Sequence, residues 1–324
     1  MHPAFSIIFL TTLIGAGQGL FLALYSGQLY SVLRLLPGED SSFYASGSLL
    51  ALMLLLAGLV SSFFHLGRPE RAWRTAARWR TSWMSREVIV LPAFMAAVAA
   101  WGLIHYSGWN PVLFIFSKNI SIDLSMMTGA VATIMCFALF LCTGMIYACI
   151  KMLQEWATPL TVINYTLLGG SSGFTLATVF AAWHGSGMTW FFGVWALILT
   201  ILAAVGRSAS LVRNARLKHK SSIETAIGIR HSQIRQKAQG AMGGSFNTRE
   251  YFHGASRRKY KAVKWSFLVL AFPLPLLLLW LGLGTNITGL LLAAFLVQYA
   301  GLLMERWFFF AQANHPQNLY YQTI

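Results

Sequence analysis

The sequence predicts an all-α, polytopic membrane protein built as a bundle of eight transmembrane helices. Three observations carry this. Hydrophobic residues make up 56% of the 324 residues and charged residues only 10%, whereas a soluble domain carries about 25% charged residues. The apolar residues fall in eight stretches, each long enough to cross about 30 Å of hydrocarbon. The basic residues behind the formal charge of +15 sit in short segments between those stretches, so the charge reads as membrane topology and not as a nucleic-acid surface.

The stretches lie near residues 4–33, 44–65, 88–105, 124–150, 159–182, 189–212, 264–283 and 287–311, and the whole of 1–324 reads as a single anchor domain. No alternating ten-residue pattern repeats, which excludes a transmembrane β-barrel. The first stretch follows Met1, His2 and Pro3 without a basic leader or a small-residue cleavage site, and reads as a first span. Within it Gly15, Gly19, Ala23 and Gly27 recur every fourth residue, a stripe that lets another helix approach closely. Gln18, Asn164 and Gln298 are the polar exceptions in an interior expected to be nearly free of charge, and they read as interhelical glue.

The charges set orientation. Arg68, Arg71, Arg74, Arg78, Arg80 and Arg86 lie between spans two and three, 14 basic residues lie between Arg207 and Lys264, and Lys151 follows span four. The opposite loops hold only Arg34 and Lys118. Basic loops resist translocation, so both termini and the basic loops are expected in the cytoplasm of a bacterial inner-membrane protein. Two of these loops exceed simple connectors. In 70–80, Arg71, Arg74 and Arg78 follow helical spacing with Trp73 and Trp79 among them, the pattern of a short helix in the headgroup region that meets lipid, a partner or both. The loop at 213–262 is basic, carries Gly240, Gly243 and Gly244, and is too long for an ordinary connector, which suggests an interaction surface.

Redox metals find no ligand set here. Cys136, Cys142 and Cys149 share one span without Cys-x-x-Cys spacing. A bis-histidine haem needs two imidazoles at matched depth on facing helices. His65 ends span two on the basic side, while His105 and His184 end spans three and five on the other side at the interface, where solvation is the expected role. No haem and no iron–sulfur cluster are expected.

The constellation that carries chemistry is His65-Leu66-Gly67-Arg68-Pro69 at the end of span two with Ser85-Arg86-Glu87 opening span three. Both lie at similar depth. A quinone site needs hydrogen-bonding groups for the carbonyl oxygens, a titratable proton route and an apolar cavity. His65 titrates near neutrality and Glu87 can pass a proton to water. A structural alternative is equally simple: Glu87 stabilised at a helix N-terminus capped by Ser85, and His65 reaching the interface.

His65 through Ala72, followed by a Ser-Arg-Glu helix start, resembles the signature of the dimethyl sulfoxide reductase membrane-anchor family, and the resemblance extends over essentially the whole chain. It implies an anchor without a metal centre that binds quinone (menaquinone or ubiquinone) near His65 and Glu87, with Arg68 and Arg86 beside them. It also implies a partner iron–sulfur subunit with four clusters and, beyond it, a molybdopterin catalytic subunit. The arginines hold the quinone-side loops in the cytoplasm, a pattern closer to the family's cytoplasmic members, such as the membrane-bound sulfite dehydrogenase, than to an exported quinol-oxidising reductase. Two other classes remain open: a secondary transporter or channel, which would need ionisable groups at mid-membrane, and a purely structural anchor.

Overall fold

The computed structural model describes residues 5–64, 66–117, 120–218, 222–231, 233–234 and 256–313. It is helical almost throughout: α1 (Phe5–Val32), α2 (Ser41–Phe63), a 3-10 helix (Pro69–Arg78), α3 (Trp83–Ser107), α4 (Leu124–Ala148), α5 (Pro159–Trp183), α6 (Thr189–Ala215), α7 (Ile223–Ile227), α8 (Arg257–Ala271), α9 (Pro273–Thr285) and α10 (Thr288–Gln312). Between α3 and α4 lies an antiparallel hairpin of β1 (Val112–Ser117) and β2 (Ile120–Asp123).

Among the described residues seven segments are long and apolar enough to cross a membrane, one fewer than expected. The difference is α5. It is 25 residues long, but glycine, serine and threonine lower its hydropathy because it sits inside the bundle rather than against lipid. α1 packs along α2 and α5, and α5 packs along α6, α1, α4 and α10. Gly15 and Gly19 of the predicted stripe meet Gly169 and Gly173 of α5, and a methyl at Gly173 would collide with the Gly19 and Leu20 backbone. Backbones that close leave no room for aliphatic side chains, so the central pair trades hydropathy for contact. Gly27 faces Met188 and Phe192 instead.

The three glue residues each tie two helices. Gln18 Nε2 donates to the Cys136 carbonyl at 2.9 Å, Asn164 Nδ2 to Ser210 Oγ at 2.7 Å, and Gln298 Nε2 to Thr200 Oγ1 at 3.1 Å. The outer helices turn apolar faces outward: Leu49, Met53, Leu56 and Val60 form an exposed line along α2, the surface that lipid covers.

Other expectations are corrected. The stretch at 264–283 keeps its expected span, within Arg258–Thr285, but is broken into α8 and α9, because Pro273 cannot donate to a preceding turn and Phe272 leaves helical geometry at φ −125°, ψ −80°. The hairpin was not foreseen. Its first strand, Val-Leu-Phe-Ile-Phe-Ser, is β-branched and aromatic but too short to register beside long apolar helices. α6 continues to Ala215 and α8 begins at Arg257, so helices take both ends of the loop expected at 213–262; Gly240, Gly243 and Gly244 lie outside the described residues.

Candidate functional site

α3 starts at Trp83, five residues before the apolar stretch, because its cap is Ser82 and not Ser85: Ser82 Oγ accepts from the Ser85 amide at 3.3 Å. That start sets the directions of the next two side chains. Arg86 turns toward the turn that follows the 3-10 helix, where Nε donates to the Trp79 carbonyl at 2.9 Å and Nη2 to the Arg80 carbonyl at 2.8 Å, while its guanidinium lies 4.2 Å over the Trp83 ring. Glu87 turns inward, and its Oε1 accepts a hydrogen bond from Thr143 of α4.

The segment before α3 is a 3-10 helix, with three residues per turn, so positions three apart align. Arg71 and Arg74 fall in one row, and Glu70, Trp73 and Ala76 in the next. Trp73 and Trp79 are exposed, each with an arginine over its ring, Arg74 at 5.5 Å and Arg80 at 5.4 Å. Arg68 precedes this helix as an exposed residue. His65 lies outside the described residues.

Glu87 lines a cavity of about 20 Å³, space for about one water molecule. Its walls come from α1 (Leu10, Thr11, Gln18), α4 (Phe140, Thr143), α5 (Tyr165, Ser172) and α10 (Leu302, Arg306), and no α2 residue lines it. The opening expected between spans two and three is therefore displaced toward the bundle centre. A planar ring could enter only if rim side chains moved.

Behind the cavity stands a group of ionised side chains, in an interior expected to be nearly free of charge. Arg207 Nε lies 2.7 Å from Glu305 Oε1, and Arg306 Nε lies 3.5 Å from Glu305 Oε2. All three are buried: Arg207 is 2% exposed, Glu305 1% and Arg306 4%. The Arg306 guanidinium sits 3.6 Å over the Tyr165 ring, and Arg207 lies 5.6 Å over Phe267. Arg207 thus belongs to α6 rather than to the basic loop. Arg306 is the one basic residue left when the basic loops, Arg34 and Lys118 are counted. That remainder was the available signal, since an ionisable group within a span marks a functional site by default. All of these residues lie toward the helix ends that the basic loops connect.

At the other end, Gln28 accepts from Trp101 Nε1 at 3.0 Å and donates to Ser125 Oγ at 2.6 Å, and Ser125 donates to Asp123 at 2.8 Å. His105 is buried, 7% exposed, with its ring 4.9 Å from Tyr44 and 4.8 Å from Trp101, so solvation is not its role. His184 is exposed, and its Nδ1 lies 2.9 Å from the Phe180 carbonyl. Among the described residues no three His, Cys, Asp or Glu side chains gather as a metal site.

The family model for the DMSO reductase anchor subunit (DmsC) matches residues 1–321. The chain belongs to this family. It is a multi-pass membrane anchor subunit of an oxidoreductase family, which removes the support for the transporter reading. It is also 58% identical over 324 residues, 100% of both chains, to a protein of Allochromatium vinosum named as a sulfite dehydrogenase subunit. As a family anchor, the chain matches its relative from end to end, so the Glu87 region and the α6–α10 ion group both fall inside the shared length.

Proposed function

We propose that this chain is the quinone-reactive membrane anchor of a three-subunit sulfite dehydrogenase in the bacterial inner membrane. In this reading α5 crosses as the eighth span, which returns the C-terminus to the side of the N-terminus, and the basic loops face the cytoplasm. The observation that carries the quinone assignment is Glu87: a carboxylate drawn below the basic surface, held by Thr143, and facing a cavity it shares with Tyr165 and Arg306. A carboxylate within a membrane-spanning helix is costly unless it has work to do, and quinone reduction supplies that work.

The chemistry balances without a metal centre in this chain. Sulfite and water give sulfate, two protons and two electrons at a molybdopterin subunit. The electrons pass through a four-cluster iron–sulfur subunit to quinone, which takes two protons to become quinol. Glu87 delivers protons from the cytoplasmic side, and His65, which follows α2 in sequence, provides the second polar contact. Arg86 acts by tying the 3-10 helix to α3, and Arg68 by its charge at the entrance. The iron–sulfur partner docks on the arginine–tryptophan helix and the 213–262 loop, close enough to the quinone for direct transfer. The identity to a protein named as a sulfite dehydrogenase subunit and the clustering of basic residues in the loops on one side, which favours a cytoplasmic face, together support sulfite as the donor.

The test is Glu87→Gln in the purified complex, with quinone-linked sulfite oxidation measured against dye-linked oxidation in the same preparation. Loss of a general acid reduces the ratio by about a hundredfold. An unchanged ratio removes Glu87 from the site.

A further inference from the structure

Two arginines share one glutamate behind the cavity. Glu305 Oε1 lies nearest Arg207 and Oε2 nearest Arg306, so these three side chains taken together carry one positive charge in excess. Burying these charges is expensive, and well-packed apolar residues would serve stability at least as well. The faces of Tyr165, Phe267 and Phe308 offset part of that cost but do not neutralise it. The excess is also directional. Arg207 faces α8 and α10 aromatics away from the cavity, while Arg306 lines the cavity itself, across from Glu87. Cation and carboxylate therefore occupy two walls of one chamber with little space between them.

We propose that Arg306, kept singly positive by the Arg207–Glu305 pair, stabilises negative charge on the oxygen of a quinone whose ring reaches this cavity by displacing rim side chains, before protons reach that oxygen. The inference rests on the quinone reading above and adds a residue and a division of labour to it. Electrons arrive from the partner's iron–sulfur carrier without protons, so the oxygen facing Arg306 gains charge first. Two electrons from that carrier and two protons from the basic side convert two carbonyls to two hydroxyls, with Glu87 as a proton donor and no bond formed to the protein. Arg306 needs no proton of its own. A fixed cation in a water-poor site is the arrangement that lowers such a barrier, because it need not reorient as charge develops. Tyr165, pressed against the guanidinium, holds it in place.

The charge arithmetic gives a test that simple packing does not mimic. In the purified complex, with a short-chain quinone analogue as acceptor and dye-linked oxidation as the internal reference, Arg306→Gln lowers quinone-linked kcat by about a hundredfold, with KM for the analogue changed by less than about threefold. Arg207→Gln leaves Glu305 to cancel Arg306 and lowers kcat similarly. The double variant Arg207→Gln/Glu305→Gln restores the lone charge and recovers at least about a tenfold part of that loss. A structural ion pair predicts the opposite, with the double variant no better than Arg207→Gln. If the Arg207 variants do not assemble, Arg306→Lys decides: it keeps the charge and stays above Arg306→Gln, and equal loss in both overturns the proposal. Loss in Glu87→Gln with full activity in Arg306→Gln rejects only this inference, while full activity in both rejects the quinone site.

Discussion

Polar groups are buried at both ends of the bundle, and the comparison separates structure from chemistry. At the end opposite the basic loops, Gln28, Trp101, Ser125 and Asp123 form a chain of neutral donors and acceptors around one ionisable carboxyl near the surface, and both ends of the Gln28 amide are used. At the basic end, Arg207, Glu305 and Arg306 carry full charges below the surface, and Arg306 shares a cavity with Glu87. A saturated neutral network rigidifies a helix junction at modest cost. Full charges in an apolar bundle are costly, and a cavity between them leaves packing unfinished. The first end has the character of a clasp and the second that of a site.

The largest effect should come from the seam that serves both ends. Gly173→Val inserts a branched side chain where α1 and α5 meet backbone to backbone, with no flexible neighbour to yield, so the detergent-extracted complex should lose this subunit altogether on size-exclusion chromatography. Recovery of an intact, active complex would mean that the α1–α5 contact is looser than described. Next in size, Thr143→Val removes the donor that holds Glu87. Without that bond the carboxylate leaves its position at the cavity, read as a fall of several-fold or more in quinone-linked turnover. At the neutral end the pattern should invert. Gln28→Leu leaves Trp101 Nε1 without its acceptor, while Ser125 keeps Asp123 and Asn110, lowering stability by about 1 to 3 kcal/mol in a thermal-unfolding assay while quinone turnover is preserved. A turnover loss there would blur the division between clasp and site. The smallest effect is peripheral: Arg71→Gln with Arg74→Gln removes about 1 kcal/mol per arginine at an anionic surface and should weaken association at low salt, with the difference fading as salt rises.

Long apolar runs, the glycine stripe and the interhelical roles of Gln18, Asn164 and Gln298 were legible in the sequence because each depends on spacing within one helix. α5 was legible as a span but not as the central one, since its burial depends on partners distant in sequence. The break between α8 and α9 had a local signal in Pro273 and Pro275, hidden by the apolar residues around it. Arg306 was hidden in the same way. In Leu-Leu-Met-Glu-Arg-Trp-Phe-Phe-Phe one adjacent acid and base vanish into a hydropathy average, and only the fold shows that Arg207 of α6 joins them. Glu87 was singled out from its motif, but its partners Thr143, Tyr165 and Arg306 come from three other helices, which no spacing along α3 could reveal.

Orientation links this division to the cell. Reporter fusions at the C-terminus and within residues 220–245 should report the cytoplasm, which places the charged end beside a cytoplasmic partner. Periplasmic signals would leave the cavity in place but favour an exported reductase over the sulfite reading.

The central claim is that quinone binds at the charged end, and photolabelling tests it most directly. A photoreactive quinone analogue, bound to the purified complex under turnover, cross-linked and mapped by peptide mass spectrometry, should mark peptides of α3, α4, α5 and α10 around Glu87, Thr143, Tyr165 and Arg306, with marking suppressed by excess unlabelled quinone. Competable labelling at the Gln28–Trp101–Ser125 end instead would contradict the account.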